Sequence, residues 1–343
     1  EWACMSRGSG RGNRIKIDKE IHFPDSLGLV YTAITTYLGF EALEGEGKVM
    51  GLAGYGRPEY LEALKKMVIM HPDGTFRVDR RFFGFNEGRC MYTRQFVKAF
   101  GPERAPQEEL LQRHYDMAAS LQRLTEEILV ALAGRLHKES GCDNLCMAGG
   151  LFLNCVANAR LLEEAPFKNV FIQPAAGDSG GALGVAAYIY YSLLGNPRVS
   201  CMHDAYLGPE FNASHISRLL TNRGLEYRRF SETELVDYVA SGLSQDKIVG
   251  WFQARMEFGP RALGNRSILA NPRNPGMKDL LNDKVKHRES FRPYAPAVLE
   301  ERALDFFEAK AFSPFMLLSA RVRKDKQQLI PAVTHVDGSA RVQ

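Results

Sequence analysis

Cysteine is sparse and scattered. The 343 residues hold six, Cys4, Cys90, Cys142, Cys146, Cys155 and Cys201, with no CxxC pair. That is too few and too irregular for a disulfide framework or a cysteine zinc site, and reads as reduced thiols in a cytoplasmic protein. Cys146 and Cys155 lie near a glycine turn without an activating histidine and are expected to be buried. Of the eight histidines no two fall at i, i+4, which excludes a His-x-x-x-His metal helix. His114, His137 and His215 sit among helical charges and are expected at the surface, whereas His335 precedes an Asp337-Gly338 turn and Arg341 and is a candidate site residue.

Other absences narrow the class further. There is no internal repeat, no apolar signal core, and no low-complexity tract beyond the Gly/Arg/Ser stretch of the first dozen residues. The longest uncharged stretch, Ser179 to Pro197, carries four glycines, which argues against a membrane span and for a buried helix in a soluble core. Net charge is only +4, too small for a general nucleic-acid or polyanion binder. The chain opens on Glu1 and stops at Arg341-Val342-Gln343 inside an alternating pattern, so it reads as an internal part of a longer protein.

What is present is ordinary globular composition, 45% hydrophobic and 24% charged, with length for about two domains. Apolar positions at helical spacing (Met117, Leu121, Leu124, Ile128, Leu132, Leu136) predict a helix ending before Gly141. Strands are expected at Leu145–Ala148 and Val170–Ile172, each running into a glycine turn and then a helix, which is α/β grammar. A boundary falls at about residue 198, giving domains 1–198 and 199–343. The second part, with helices near Ser214–Thr221 and after the capping box Ser231-Glu232-Thr233-Glu234, and a strand at Ile248–Phe252, reads as α+β.

Three constellations can carry chemistry. Gly149-Gly150 through Asn154 and Asn158 stands where a strand hands over to a helix; paired glycines admit an anion to backbone N–H groups, and the asparagines are placed for a phosphate or ribose. A tight packing turn with surface asparagines is the alternative. Gly177-Asp178-Ser179-Gly180-Gly181 sets a carboxylate among glycines, suited to a divalent metal or to capping the next helix. From Trp251 to Arg292 nine basic residues, Arg261, Arg266, Lys286, Arg288 and Arg292 among them, accompany four acids. Interleaved Phe258, Pro260, Leu263 and Phe291 imply partial burial, and buried guanidiniums require an anion. The Glu46–Gly56 segment reads as a glycine-rich loop, either positioning a ligand or simply turning.

Together these strings resemble the NodU/CmcH-type O-carbamoyltransferases. The resemblance rests on Glu46–Leu52, Ala119–Gln122, Ala148–Asn158, Gln173–Asp178, Phe258–Gly264, Phe291–Pro293 and His335–Gly338. It implies an actin-like ATPase (ASKHA, threonylcarbamoyl-transferase-like) domain followed by a YrdC-like domain, both truncated here. It further implies that carbamoyl phosphate and ATP yield carbamoyl-adenylate, whose carbamoyl group passes to a hydroxyl of a small molecule, natural product or saccharide. By motif, Gly149, Gly150, Asn154, Asn158 and Gly177 would touch the adenylate, and Asp178 would be one ligand of a divalent metal, Fe2+. Arg261, Lys286, Arg292 and Arg341 would clamp carbamoyl phosphate. The family's other metal ligands, two histidines, precede the segment that Glu1 opens, and a substrate-binding Asn-Thr-Ser-Phe segment follows it. No nucleic-acid or membrane partner is implied, and a homodimer is left open. The alternatives are a tRNA threonylcarbamoyl-type or hydrogenase-maturation carbamoyltransferase, the latter disfavoured because CxxC zinc fingers are missing, and a non-catalytic nucleotide-binding fragment.

Overall fold

A computed structural model describes residues 3–85, 91–199, 201–311 and 313–343; Cys90 lies outside these. Two units form, Glu1–Val199 and Ser200–Gln343.

The first unit opens with an antiparallel hairpin, β1 (Ala3–Arg11) and β2 (Arg14–His22), whose first strand falls in the Gly/Arg/Ser stretch of the first dozen residues. Its tip is anchored from later in the unit: Ser192 donates to the Asn13 carbonyl at 2.6 Å and Arg198 to the Gly12 carbonyl at 2.9 Å. Helix α1 (Leu27–Tyr37) is capped by the Ser26 hydroxyl, which accepts from the Leu29 amide, and is buried along most of its length. The Glu46–Leu52 segment is a helix, α2, and not the loop expected. Its start is held by the Glu46 carboxylate, which accepts from Thr32 at 2.7 Å and from the Leu43 amide at 3.0 Å, and it buries Val49 and Leu52. A short α3 (Leu61–Lys65), the β3 (Val68–Met70) and β4 (Phe76–Val78) hairpin and α4 (Arg94–Phe100) follow.

Helix α5 (Gln112–Ser140) extends the expected helix at both ends and stops at Gly141, whose φ of +62° suits glycine. Met117, Leu121, Leu124, Ile128 and Leu132 form its buried stripe. The expected strands appear as β5 (Asn144–Met147) and β6 (Asn169–Ile172), paired in parallel and joined through α6 (Cys155–Glu164). Leu145, Met147 and Ile172 face inward while Cys146 and Phe171 alternate outward. Cys155 is therefore buried as expected, but Cys146 is exposed, because period-2 alternation puts it opposite Met147.

Helix α7 (Ser179–Ala187) continues as a π-helical turn, Tyr188–Leu193. It was expected to be buried and is not: Val185, Leu193 and Leu194 are each more than 60% exposed. Apolarity all round a helix signals that it needs cover, and no described element supplies it. No helix among the described residues is long and apolar enough to cross a membrane.

The second unit carries α8 (Ala213–Asn222), capped by Asn212, and α9 (Glu232–Ser244), whose Ser231–Glu234 capping box forms with both reciprocal bonds. Strands β7 (Val249–Phe252) and β8 (Arg266–Leu269) pair antiparallel. Beyond them come α10 (Met277–Leu280), which runs on as a π-helical turn to Val285, then α11 (Ala303–Phe306), β9 (Phe307–Glu308), β10 (Ser319–Val322) and β11 (Ser339–Arg341). The last three form one sheet in the order β11-β10-β9. Two small cores hold this end together, one around Phe307, Val322, Ile330 and Val342, the other around Met277, Leu281 and Ala332.

Candidate functional site

Parallel pairing places the ends of β5 and β6 side by side, so the turns that follow them are neighbours. Gly149 donates its amide to the Ala176 carbonyl at 2.7 Å and holds a φ of +114°, a conformation open to glycine alone. Gly149, Gly150, Gly177 and Asp178 are thereby brought to one sheet edge, at the carboxyl ends of parallel strands where α/β folds bind ligands. A Cβ on Gly150 or Gly181 would meet nothing within 4 Å, so backbone there is open to approach. Gly180, in contrast, is pressed on the Ala175 carbonyl.

The two asparagines are placed behind this edge. Asn154 is 7% exposed and caps α6, its Oδ1 accepting from the Ala157 amide at 3.0 Å. Its amide nitrogen donates to Gln122 Oε1 at 2.8 Å, and Gln122 donates in turn to Glu126 at 2.9 Å. Tyr31 donates to Gln122 Oε1 at 3.2 Å and Arg160 to Glu126 at 3.0 Å. Burial first, then the Glu126 and Glu46 carboxylates, pushes the Tyr31 phenol well above its ordinary value, so it stays a donor. Asn158, fully buried, donates to the Phe152 carbonyl at 2.7 Å and braces the 3-10 turn Gly150–Leu153. Tyr31, Glu126 and Arg160 were not singled out from sequence, and Gln122 entered only within the Ala119–Gln122 string, since polar residues on a helix carry no mark of burial.

Asp178 is exposed and starts α7 without a side-chain capping bond. Among the described residues no three His, Cys, Asp or Glu side chains are grouped to hold a metal ion. One carboxylate is not a metal centre, so Asp178 alone does not fit the divalent metal that the resemblance implies. His114, expected on the surface, is 2% exposed: its Nδ1 accepts from the Leu111 amide at 2.9 Å at the start of α5. His137 is half-buried with its ring edge-on to Phe167, and His215 is exposed.

In the second unit the Phe258–Gly264 loop is organised by an acid. Glu257 has no exposed side-chain surface; it accepts from the Leu263 amide at 2.6 Å, the Asn265 amide at 2.8 Å and Arg266 at 3.0 Å. Burial alone would raise its pKa, but the Leu263 and Asn265 amides outweigh that and hold it below the ordinary range. Arg266 also donates to the Gly259 carbonyl at 2.9 Å, so Arg266 and Glu257 together shape the loop that carries half-buried Arg261. Gln343 donates to the Leu263 carbonyl at 2.8 Å, which ties this loop to the chain just past Arg341.

Arg292 and Arg341 are brought together with Arg288. Arg292 has its pKa lowered by burial first and then by Arg288, with Arg341 adding to the effect against Glu289. Glu289 stands 3.5 Å from Arg292 and is the carboxylate of the group. Arg288 takes neutral acceptors instead, Asn282 Oδ1 at 2.8 Å and the Pro293 carbonyl at 3.5 Å, and lies 4.6 Å over the Tyr294 ring. The other acids of the basic block are engaged locally, Asp283 with Lys284 at 2.9 Å and Asp279 with Lys278 at 3.8 Å. Lys286 is exposed at the end of the π-helical turn. His335 closes the turn into β11, its amide donating to the Ser339 carbonyl at 2.8 Å, and so fixes the strand that carries Arg341.

A parallel-strand edge of open glycines in one unit and a guanidinium cluster in the other define a mixed α/β protein of two parts, each with its own candidate site. The family model described as "Carbamoyltransferase N-terminus" matches residues 1–187, and that described as "Carbamoyltransferase C-terminus" matches residues 240–343. The chain belongs to the carbamoyltransferase family of transferase enzymes, as the motif strings implied. It is 45% identical over 371 residues to an uncharacterized protein of Synechocystis sp., covering 100% of this chain and 60% of that protein. Nodulation protein NolO of Bradyrhizobium diazoefficiens is 39% identical over 351 residues, 99% of this chain and 60% of that protein. Nodulation protein NolNO of Sinorhizobium fredii is 37% identical over 342 residues, 97% of this chain and 48% of that protein. The chain thus spans 60% or less of the length of these relatives.

Proposed function

We propose that the protein acts in ATP-dependent O-carbamoyl transfer. Carbamoyl phosphate, water and ATP give carbamoyl-adenylate, phosphate and pyrophosphate, and the carbamoyl group then passes to a hydroxyl of a small molecule or saccharide, which gives up its proton as AMP departs. In this reading the first unit is the actin-like domain and the second the YrdC-like domain. The observation that carries it is Arg292, half-buried, facing the charges of Arg288 and Arg341 and set against the Glu289 carboxylate: a cluster of this charge is at its most stable with a multiply charged anion bound.

Arg292, Arg341 and Arg261 bind the phosphoryl and carbamoyl oxygens, and exposed Lys286 closes on the same anion. Fixed guanidiniums neutralise the phosphate that departs and need no reorganisation as charge moves. The Gly149-Gly150 and Gly177 backbone receives the adenylate, with Asn154 and Asn158 holding that backbone in shape from behind.

Calorimetric titration with carbamoyl phosphate and with ATP, together with a pyrophosphate-release assay, tests the proposal. Binding of both ligands, and pyrophosphate release dependent on carbamoyl phosphate, is expected; Arg261→Ala and Arg292→Ala lose the release while circular dichroism stays that of the wild type. Release at wild-type rates in both variants overturns the assignment. Dependence on threonine and bicarbonate moves the protein to the tRNA-modifying class, and ATP binding without carbamoyl-phosphate dependence leaves a nucleotide-binding module.

A further inference from the structure

Tyr294 sits where the apolar core and the arginine cluster meet. Its ring packs on the core of Met277, Leu281 and Ala332. Its hydroxyl oxygen is buried beside the Arg288 guanidinium, and its proton has no acceptor. Burial raises the phenol above its ordinary value, against the pull of neighbouring Arg288 and Arg292, so the oxygen keeps its proton and is a donor. Arg341 Nε, on the strand beyond, is likewise buried and unpartnered.

Arg288 is not loose beside it. Asn282, 1% exposed, accepts from Arg288 Nε and donates to the Ser290 carbonyl at 3.3 Å and the Arg292 carbonyl at 3.0 Å. One buried amide thus sets the guanidinium of Arg288 and the backbone of Arg292 together, and the Tyr294 face supplies a cation–π seat. Three guanidiniums, a phenol proton and an Nε proton are held in place here, and Glu289 is the carboxylate paired with Arg292.

Each of these is unfavourable without a ligand. A buried donor without an acceptor costs about 1–3 kcal/mol, and like charges repel. An anion with several oxygens removes both penalties at once. Resting on the function proposed above, the geometry points to Tyr294 as a neutral donor to the phosphoryl group bound by Arg292, with Arg288 as a further guanidinium of that site. A neutral O–H adds a short, directional bond to an oxyanion without adding to the repulsion among the arginines. The ligand class is a phosphoryl dianion, shared by carbamoyl phosphate and by the inorganic phosphate it releases.

Tyr294→Phe removes only the hydroxyl and keeps the core-packing ring. Calorimetry of the wild-type protein with carbamoyl phosphate and with inorganic phosphate is compared with this variant and with Arg288→Gln. The expected result is binding by the wild type, weakened about ten- to hundredfold in Tyr294→Phe for both ligands. ATP affinity stays constant, and the ligand-free melting temperature is equal to or above that of the wild type, because the deleted O–H had no acceptor. Arg288→Gln weakens the same two ligands at least tenfold. Wild-type affinity in Tyr294→Phe overturns this inference alone. A fall in the ligand-free melting temperature with unchanged binding overturns it too, by assigning the hydroxyl to the fold. Failure of the wild type to bind either anion overturns the proposed function and this inference with it.

Discussion

Glu257 and Arg266 meet at 3.0 Å with the carboxylate side chain wholly out of solvent and the guanidinium partly in it. The pair pins both ends of the Phe258–Gly264 turn, since the same carboxylate accepts from the Leu263 and Asn265 amides while Arg266 donates to the Glu257 and Gly259 carbonyls.

Glu257→Gln retains one oxygen for the two amides and loses the charge, and should lower stability by about 1 kcal/mol; Glu257→Ala strands both amides and should cost about 3 kcal/mol. Because the folded carboxyl has a lowered pKa, its contribution is full above the ordinary glutamate range and is lost as pH falls through the folded value. Urea unfolding between pH 3 and 7 reads this. An alanine variant as stable as the wild type would remove Glu257 from the frame of the loop.

His114 gives a second pH signature. Burial, then Arg113 and Arg104, pushes its pKa down to about 4 from 6.5. The unfolded chain therefore takes up the proton first, so the stabilisation is complete above about pH 6.5 and declines as pH falls toward 4. Between pH 7 and pH 5 the loss should be about 2 kcal/mol. His114→Gln should flatten that slope, and an unchanged slope would exclude His114 as its source.

Asn154 separates support from ligand contact. Asn154→Ala removes the α6 cap and takes one of three buried partners from Gln122, an expected loss of about 2 kcal/mol. Gln122→Ala should cost a similar amount, and the double variant less than the sum, since both delete one network. Additive losses in a double-mutant cycle would contradict the coupling.

The sequence carried the parts of this fold whose signal is local. The α5 stripe, the α9 capping box and the two strand-to-glycine handovers each have a spacing that survives into the structure within a few residues. Burial of single polar groups had no such signal. Nothing in the spacing says that His114 turns inward, that Glu257 serves amides rather than a cation at large, or that Tyr294 ends against arginines, because each depends on elements distant in the chain. The β1–β2 hairpin was missed for another reason: β1 is mostly small residues and arginines, where period-2 alternation is too weak to read, and the alternation of β2 puts Ile15 and Ile17 on a face left largely exposed. Exposure of α7 was missed because composition reports what a helix needs, not what is beside it.

Gly149 and Gly150 are adjacent and do different work, which makes them the sharpest pair to separate. Gly149 holds φ at +114°, so alanine there is strained whatever space surrounds it, at about 1–3 kcal/mol, and the bond to Ala176 that joins the two turns is at risk. Gly150 has no positive φ, and its Cβ would enter open space, so alanine should leave stability within about 0.5 kcal/mol of the wild type. If the adenylate approaches this backbone, Gly150→Ala should weaken ATP binding at constant stability, whereas Gly149→Ala should lower both. Thermal melting paired with ATP titration distinguishes them. Equal stability of the two variants would mean that the turn relaxes its φ, and unchanged ATP affinity in Gly150→Ala would move the nucleotide off this edge.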